Sequence, residues 1–191
     1  MGRVILILLL LSLLFAHPHS FIDYETTICF DDEGVSGVQT TWYFDEMFSS
    51  FVEAYDVDGD RIFSDAEVKV LKAEAFDNLK EHNYFSKFYI DGKIFYPTFI
   101  KDFKPFFVED KIVYSFFVPC HVQATAMPKE MIVMFFDPTY YIHVDPVKKE
   151  AVSFENDHNY SVVVNREKRK QDAYYQNVIV PAGFRVRFSK K

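Results

Sequence analysis

Ser20-Phe-Ile-Asp-Tyr-Glu-Thr-Thr-Ile-Cys-Phe30, followed by Asp31-Asp-Glu-Gly34 and a second apolar run over residues 35–44, decides the fold class of this chain. The first run reads as a strand, and the Asp/Gly cluster is a turn signal. The second run returns with Val38, Thr40 and Trp42 alternating at period two. After this hairpin the pattern changes. Residues 45–55 place Met47, Phe48, Phe51 and Val52 on one helical face, with Asp45 as N-cap. Ser64-Asp-Ala-Glu67 is a capping-box pattern that opens a second helix to about His82. Its apolar positions are Val68, Val70, Leu71, Ala75, Phe76 and Leu79. Strand-like runs resume at 85–90, 93–96, 99–107, 111–120, 129–136, 140–144, 151–154, 160–164 and 184–188. The load of 22 Phe and 12 Tyr suits pleated, half-buried surfaces. The expectation is an α+β fold, mainly antiparallel β and sandwich-like, with an EF-hand-like helix-loop-helix inserted at about 45–82.

Ahead of the hairpin, an apolar run over residues 4–15 follows Arg3 and ends at Ala16. That is the layout of a secretory signal, too short for a membrane helix, although Leu14 is large for its place before the cut. Residues 1–16 are therefore expected to be removed, leaving a single β-rich domain over 17–191 in the periplasm, not itself membrane-spanning. The chain has 28 Asp and Glu against 21 Lys and Arg, a formal net charge of −7 that loss of Arg3 makes more acidic. Such a balance argues against nucleic acid as a partner. The cluster Arg166-Glu-Lys-Arg-Lys170 reads as a solvated turn. Cys29 and Cys120 read first as a disulfide between neighbouring strands in an oxidising compartment, with two separate buried thiols as the alternative.

Cleavage after Ala16 would expose His17-Pro18-His19, bringing an α-amine and two imidazoles together. Pro18 has no amide N–H, so the amide-nitrogen mode that favours square-planar copper or nickel is blocked there. His17 and His19, with Asp23 as an oxygen ligand, suit tetrahedral zinc; copper and nickel are the alternatives. His143 and His121, in strand-end positions, are further ligand candidates. Asp137-Pro-Thr-Tyr140 reads as a turn whose carboxylate can cap backbone donors. A second ion site is read in the linker Asp56-Val-Asp58-Gly-Asp60-Arg-Ile62-Phe-Ser64-Asp-Ala-Glu67. Asp56, Asp58, Asp60, the Ile62 carbonyl, Ser64 and Glu67 fall at the ligand positions of a calcium loop. Arg61 stands where such loops have glycine, a place of positive φ, and sets a cation near the site. The loop reads either as calcium-filled or as a metal-free acidic turn. There is no HExxH and no GxSxG, so a non-enzymatic role is expected. A copper oxidative enzyme built on the N-terminal histidines is the catalytic alternative.

Four segments in order carry a family resemblance: His17-Pro-His-Ser-Phe-Ile-Asp23, Trp42-Tyr-Phe-Asp-Glu46, the acidic loop 56–67 and Phe136-Asp-Pro-Thr-Tyr-Tyr141. The chain resembles the bacterial periplasmic family of unknown function labelled "ABC-type uncharacterised transport system, periplasmic component". The resemblance covers most of the chain and is weakest after Val144. It implies an accessory protein beside nickel/cobalt/zinc-type membrane permeases, binding a divalent transition metal, zinc above all, and passing it on. A calcium-stabilised structural or interaction module is the competing reading.

Overall fold

The computed structural model describes residues 18–147 and 151–191; the leader read over 1–16, and His17, lie outside them. The opening hairpin forms as read: β1 (Ser20–Phe30) and β2 (Gly34–Phe44) pair antiparallel, with Ile22 opposite Phe44 at one end and Phe30 opposite Val35 at the other. Helices α1 (Glu46–Val52) and α2 (Asp65–Leu71) follow. The remaining strands are β3 (Ser86–Ile90), β4 (Lys93–Phe95), β5 (Lys101–Val108), β6 (Lys111–Gln123), β7 (Lys129–Phe135), β8 (Ile142–Pro146), β9 (Val152–Glu155), β10 (Tyr160–Lys168) and β11 (Ala182–Lys190).

One sheet runs β5-β6-β2-β1-β8, with β9 also on β1; the other runs β10-β11-β7-β3-β4. Among the described residues only β8 and β9 are parallel to their neighbour β1; the other ladders are antiparallel. Period-two alternation sends Tyr24 and Trp42 inward, where Tyr24 meets Phe135 and Phe184, and Trp42 meets Phe116 and Phe135. These rings come from both sheets, so the sheets share one aromatic core, the sandwich expected from the pattern. Phe76 and Phe85 from the helical segment close over Trp42.

The helical segment departs from its reading in two ways. Phe48 and Val52 of α1 turn toward the core, whereas Met47 and Phe51 are exposed, so the four do not share a buried face. Regular α-helix in α2 ends at Leu71. A wide π-type turn, Lys72–Phe76, and a tight 3₁₀ segment, Asp77–Phe85, continue it. His82 is no longer helical, and Asn83, Tyr84 and Phe85 take left-handed backbone with φ of 53°, 52° and 51°. This reversal buries the Tyr84 and Phe85 rings, which a continued helix would direct elsewhere.

Two further readings are corrected. The expected Cys29–Cys120 disulfide is not formed; both thiols are free and buried. Cys29 lies opposite Gly37 on β2, and Gly37 opposite Pro119 on β6, so β2 runs between the two cysteines. Two strand spacings are about 9–10 Å, beyond the ~7 Å Cα separation a disulfide spans. Burial pushes the thiols up, to about 11 for Cys29 and about 12 for Cys120, so both stay protonated. The basic cluster 166–170 is not a solvated turn either. Its first residues complete β10, and Arg169 is buried, donating to Asp172 at 3.0 Å and Glu167 at 3.0 Å over the Tyr89 ring. Among the described residues no helix is long and apolar enough to cross a membrane.

Candidate metal centre

The parallel pairing of β1 with β8 builds the candidate site. Phe21 lies opposite His143 and Asp23 opposite Asp145. One step earlier, the His19 N–H donates to the Tyr141 carbonyl at 2.8 Å, and the two rings lie 4.7 Å apart. Because side chains alternate along a strand, His19, Phe21 and Asp23 share one face with Tyr141, His143 and Asp145. That face is the outer one: Phe21 and Tyr141 are about half exposed, and the intervening Ile22 and Val144 are buried. The Phe21 and His143 rings meet edge to face at 5.9 Å. His143 Nε2 lies 3.2 Å from Asp145 Oδ2, close enough for both to meet one ion. Nδ1 of His143 is buried and has no hydrogen-bond partner.

Two carboxylates outside the ladder hold these strands in register. Asp45 accepts from Ser20 Oγ at 2.8 Å, from the Phe21 N–H at 2.5 Å and from the Phe48 N–H at 2.8 Å. It is thus both the expected N-cap of α1 and a clamp on the start of β1. Partial burial disfavours its charge, but the hydrogen bonds from Phe48, Phe21 and Ser20 outweigh burial and hold the carboxyl below the usual range. Asp137, buried, accepts from the Thr139 N–H and hydroxyl and from the Ile142 N–H, at 2.7–2.9 Å. The turn read at Asp137-Pro-Thr-Tyr140 therefore fixes where β8 begins, and with it Tyr141 and His143. Asp137→Ala is expected to cost about 1–2 kcal/mol in urea denaturation, as for other capping carboxylates. With every ladder residue intact, it should also weaken any metal affinity about tenfold. Lost stability with unchanged affinity would confine Asp137 to the fold.

The candidates from sequence divide clearly. His19, Asp23 and His143 come to one face, and Asp145, which the sequence reading passed over, joins them. Its signal was the alternation Tyr141-Ile-His143-Val-Asp145 itself. His17 lies outside the described residues. His121 does not belong to the group. It sits at the far end of the hairpin, where β6 pairs with Val35, and it contacts Glu33 at 3.0 Å. Ten residues of strand separate that end from His19, roughly 30 Å.

The acidic linker takes a compact form. Ligand oxygens of Asp56, Asp58 and Asp60 lie within 4.8 Å of one another; among the described residues, the His and carboxylate groups of the β1–β8 face do not form such a set of three. Arg61 adopts the positive φ expected of its place, 63°. Its cation, expected near the site, is held by groups outside the three aspartates. The guanidinium lies 4.5 Å over Phe107, bonds the Glu109 carbonyl and approaches Asp110 at 3.5 Å and Glu53 at 3.7 Å. Phe63 also stacks on Phe107, at 5.2 Å, so the loop docks on the β5–β6 hairpin. Glu67 is engaged with the Val57 and Ser64 N–H groups, completing the capping box.

A family profile described as "Protein of unknown function (DUF1007)" matches residues 3–183. An "Uncharacterized protein" of Haemophilus influenzae (strain ATCC 51907 / DSM 11121 / KW20 / Rd) is 31% identical over 141 residues, 73% of this chain and 67% of the relative. An "Uncharacterized 15.5 kDa protein in trpE 3'region" of Spirochaeta aurantia is 25% identical over 127 residues, 66% of this chain and 90% of the relative. No solved structure matches. These names state no activity, compartment or partner.

Proposed function

We propose that this chain, which belongs to the DUF1007 family of proteins of unknown function, is a non-enzymatic periplasmic protein that binds a divalent transition metal, zinc before copper or nickel, as cargo and passes it to a membrane permease. The observation that supports this is the start of β1 beside β8, which lines up two imidazoles, His19 and His143, and two carboxylates, Asp23 and Asp145, on one outer face. Imidazole nitrogen with carboxylate oxygen is the donor chemistry of zinc. His19 and His143 would hold the ion, with Asp23, Asp145 and His17 completing the set. An exposed face suits a cargo that must leave again. The permease rests on the family resemblance in the sequence.

Calorimetric titration of zinc into protein beginning at His17 tests this. One ion is expected to bind, and His19→Ala and His143→Ala are each expected to weaken it by about tenfold or more. His121→Ala, at the other end of the sheet, should leave it unchanged. Binding that is absent, or equal in all four proteins, would sink the proposal.

The Asp56, Asp58 and Asp60 cluster favours a second reading, a module stabilised by calcium. Excess calcium is then expected to raise the melting temperature of the protein, and Asp58→Asn to remove the shift. A melting temperature indifferent to calcium counts against it.

A further inference from the structure

We propose that the outer face of the helix-loop-helix is a docking surface for a basic amphipathic helix of a partner protein, a role separate from the metal site. Each helix has a second apolar side. On α1, Met47 and Phe51 continue into Ala54 at i, i+4, i+7 spacing, and Phe51 is 70% exposed. On α2, Ala66 and Val70 continue into Ala73 with the same spacing, all exposed, while Leu71 is fully buried on the other side. Val57, between the helices, is 83% exposed. Ala54, Val57, Ala66 and Val70 line one groove of ≈ 370 Å³. Scattered apolar residues on a surface are ordinary, but here Ala54 from the first stripe and Ala66 and Val70 from the second meet in one groove, a form that receives the apolar side of a helix.

Charge selects the occupant. Residues 45–74 hold nine Asp and Glu against Arg61, Lys69 and Lys72. Arg61 is drawn to Glu53 and Asp110, and Lys72 to Asp77. The groove therefore has an anionic rim, to which Glu67 and Glu74 contribute directly. A second copy would set one anionic rim against another, and an anionic lipid surface would be repelled in the same way. A helix with Lys or Arg flanking a Leu stripe satisfies both the groove and the rim.

The test is amide chemical-shift mapping on the whole protein in its exported form, titrated with an amphipathic leucine/lysine helix of about 16 residues. Shifts are expected to centre on Phe51, Ala54, Val57, Ala66 and Val70. Phe51→Ser and Val70→Ser should each weaken binding about tenfold or more, with thermal unfolding unchanged because both side chains are exposed. A leucine/glutamate helix should not bind. The proposal fails if shifts spread over other acidic surface, or if binding survives both substitutions. It also fails if phosphatidylglycerol vesicles occupy the face, or if sedimentation shows a dimer that Val70→Ser dissolves.

Discussion

Trp42→Ala is expected to lower the free energy of unfolding by about 3–5 kcal/mol, the usual cost of removing a large buried aromatic. Trp42 is fully buried, and its ring is packed by Phe116 from its own sheet, Phe135 from the other, and Phe76 and Phe85 from the helical segment. One side chain thus joins the three layers, and alanine would leave a void that none of them can close alone. The indole N–H has no hydrogen-bond partner, so Trp42→Phe removes an unsatisfied donor along with some volume. It is therefore expected to cost less, about 1–2 kcal/mol. Urea denaturation followed by far-ultraviolet circular dichroism measures both, since the only tryptophan is the one replaced. A loss below about 1 kcal/mol for alanine would mean that the sheets do not meet at this residue.

Asp172→Ala is expected to cost about as much, roughly 3–5 kcal/mol, for an electrostatic reason. The Asp172 side chain is 1% exposed and accepts from Lys87 Nζ at 2.7 Å, Tyr89 Oη at 2.5 Å and Arg169 Nε at 3.0 Å. Removing it leaves the Lys87 and Arg169 cations, themselves largely buried, without their common counterion. Burial alone would favour the neutral acid, but the hydrogen bonds from Lys87, Tyr89 and Arg169 outweigh it and hold the Asp172 carboxyl below the ordinary carboxylate range. Asp45, Asp91, Glu130 and Glu167 are shifted in the same direction. A carboxyl lowered in the folded state contributes stability above its unfolded value, near ~4, and loses it as pH falls through the folded value. Stability is thus expected to hold near neutrality and to fall below about pH 4, less steeply in Asp172→Asn. Equal slopes for the two proteins would remove Asp172 from the acid response.

Most of the strand order was legible because the signals are local. The run 20–30 alternates and ends in Asp/Gly, and it forms β1 with those bounds. The N-cap at Asp45 and the capping box at Ser64 were equally legible, since a cap is a contact between residues three apart. The two faces of α1 were not. Phe51 and Val52 are both apolar, and only the position of the sheet tells which one is buried. Cys29 and Cys120 show the same limit: each lies in a strand, but strand order puts β2 between them.

The candidate site divides along the same line. The sequence alone determined the donor types at residues 17–23, the turn at Asp137 and the carboxylate spacing of the 56–67 loop, because each depends on a few consecutive residues. Tertiary structure decided the companions. Parallel pairing of β8 with β1 brought His143 and Asp145 beside Phe21 and Asp23, across a separation of more than a hundred residues, and left His121 at the opposite end of the sheet. Docking on β5–β6 turned Arg61 out of the acidic loop, since stacking on Phe107 and pairing with Asp110 depend on a hairpin that local sequence does not contain. Backbone periodicity is a short-range property that any stretch carries within itself, whereas register between distant strands is set by which apolar faces can be buried together.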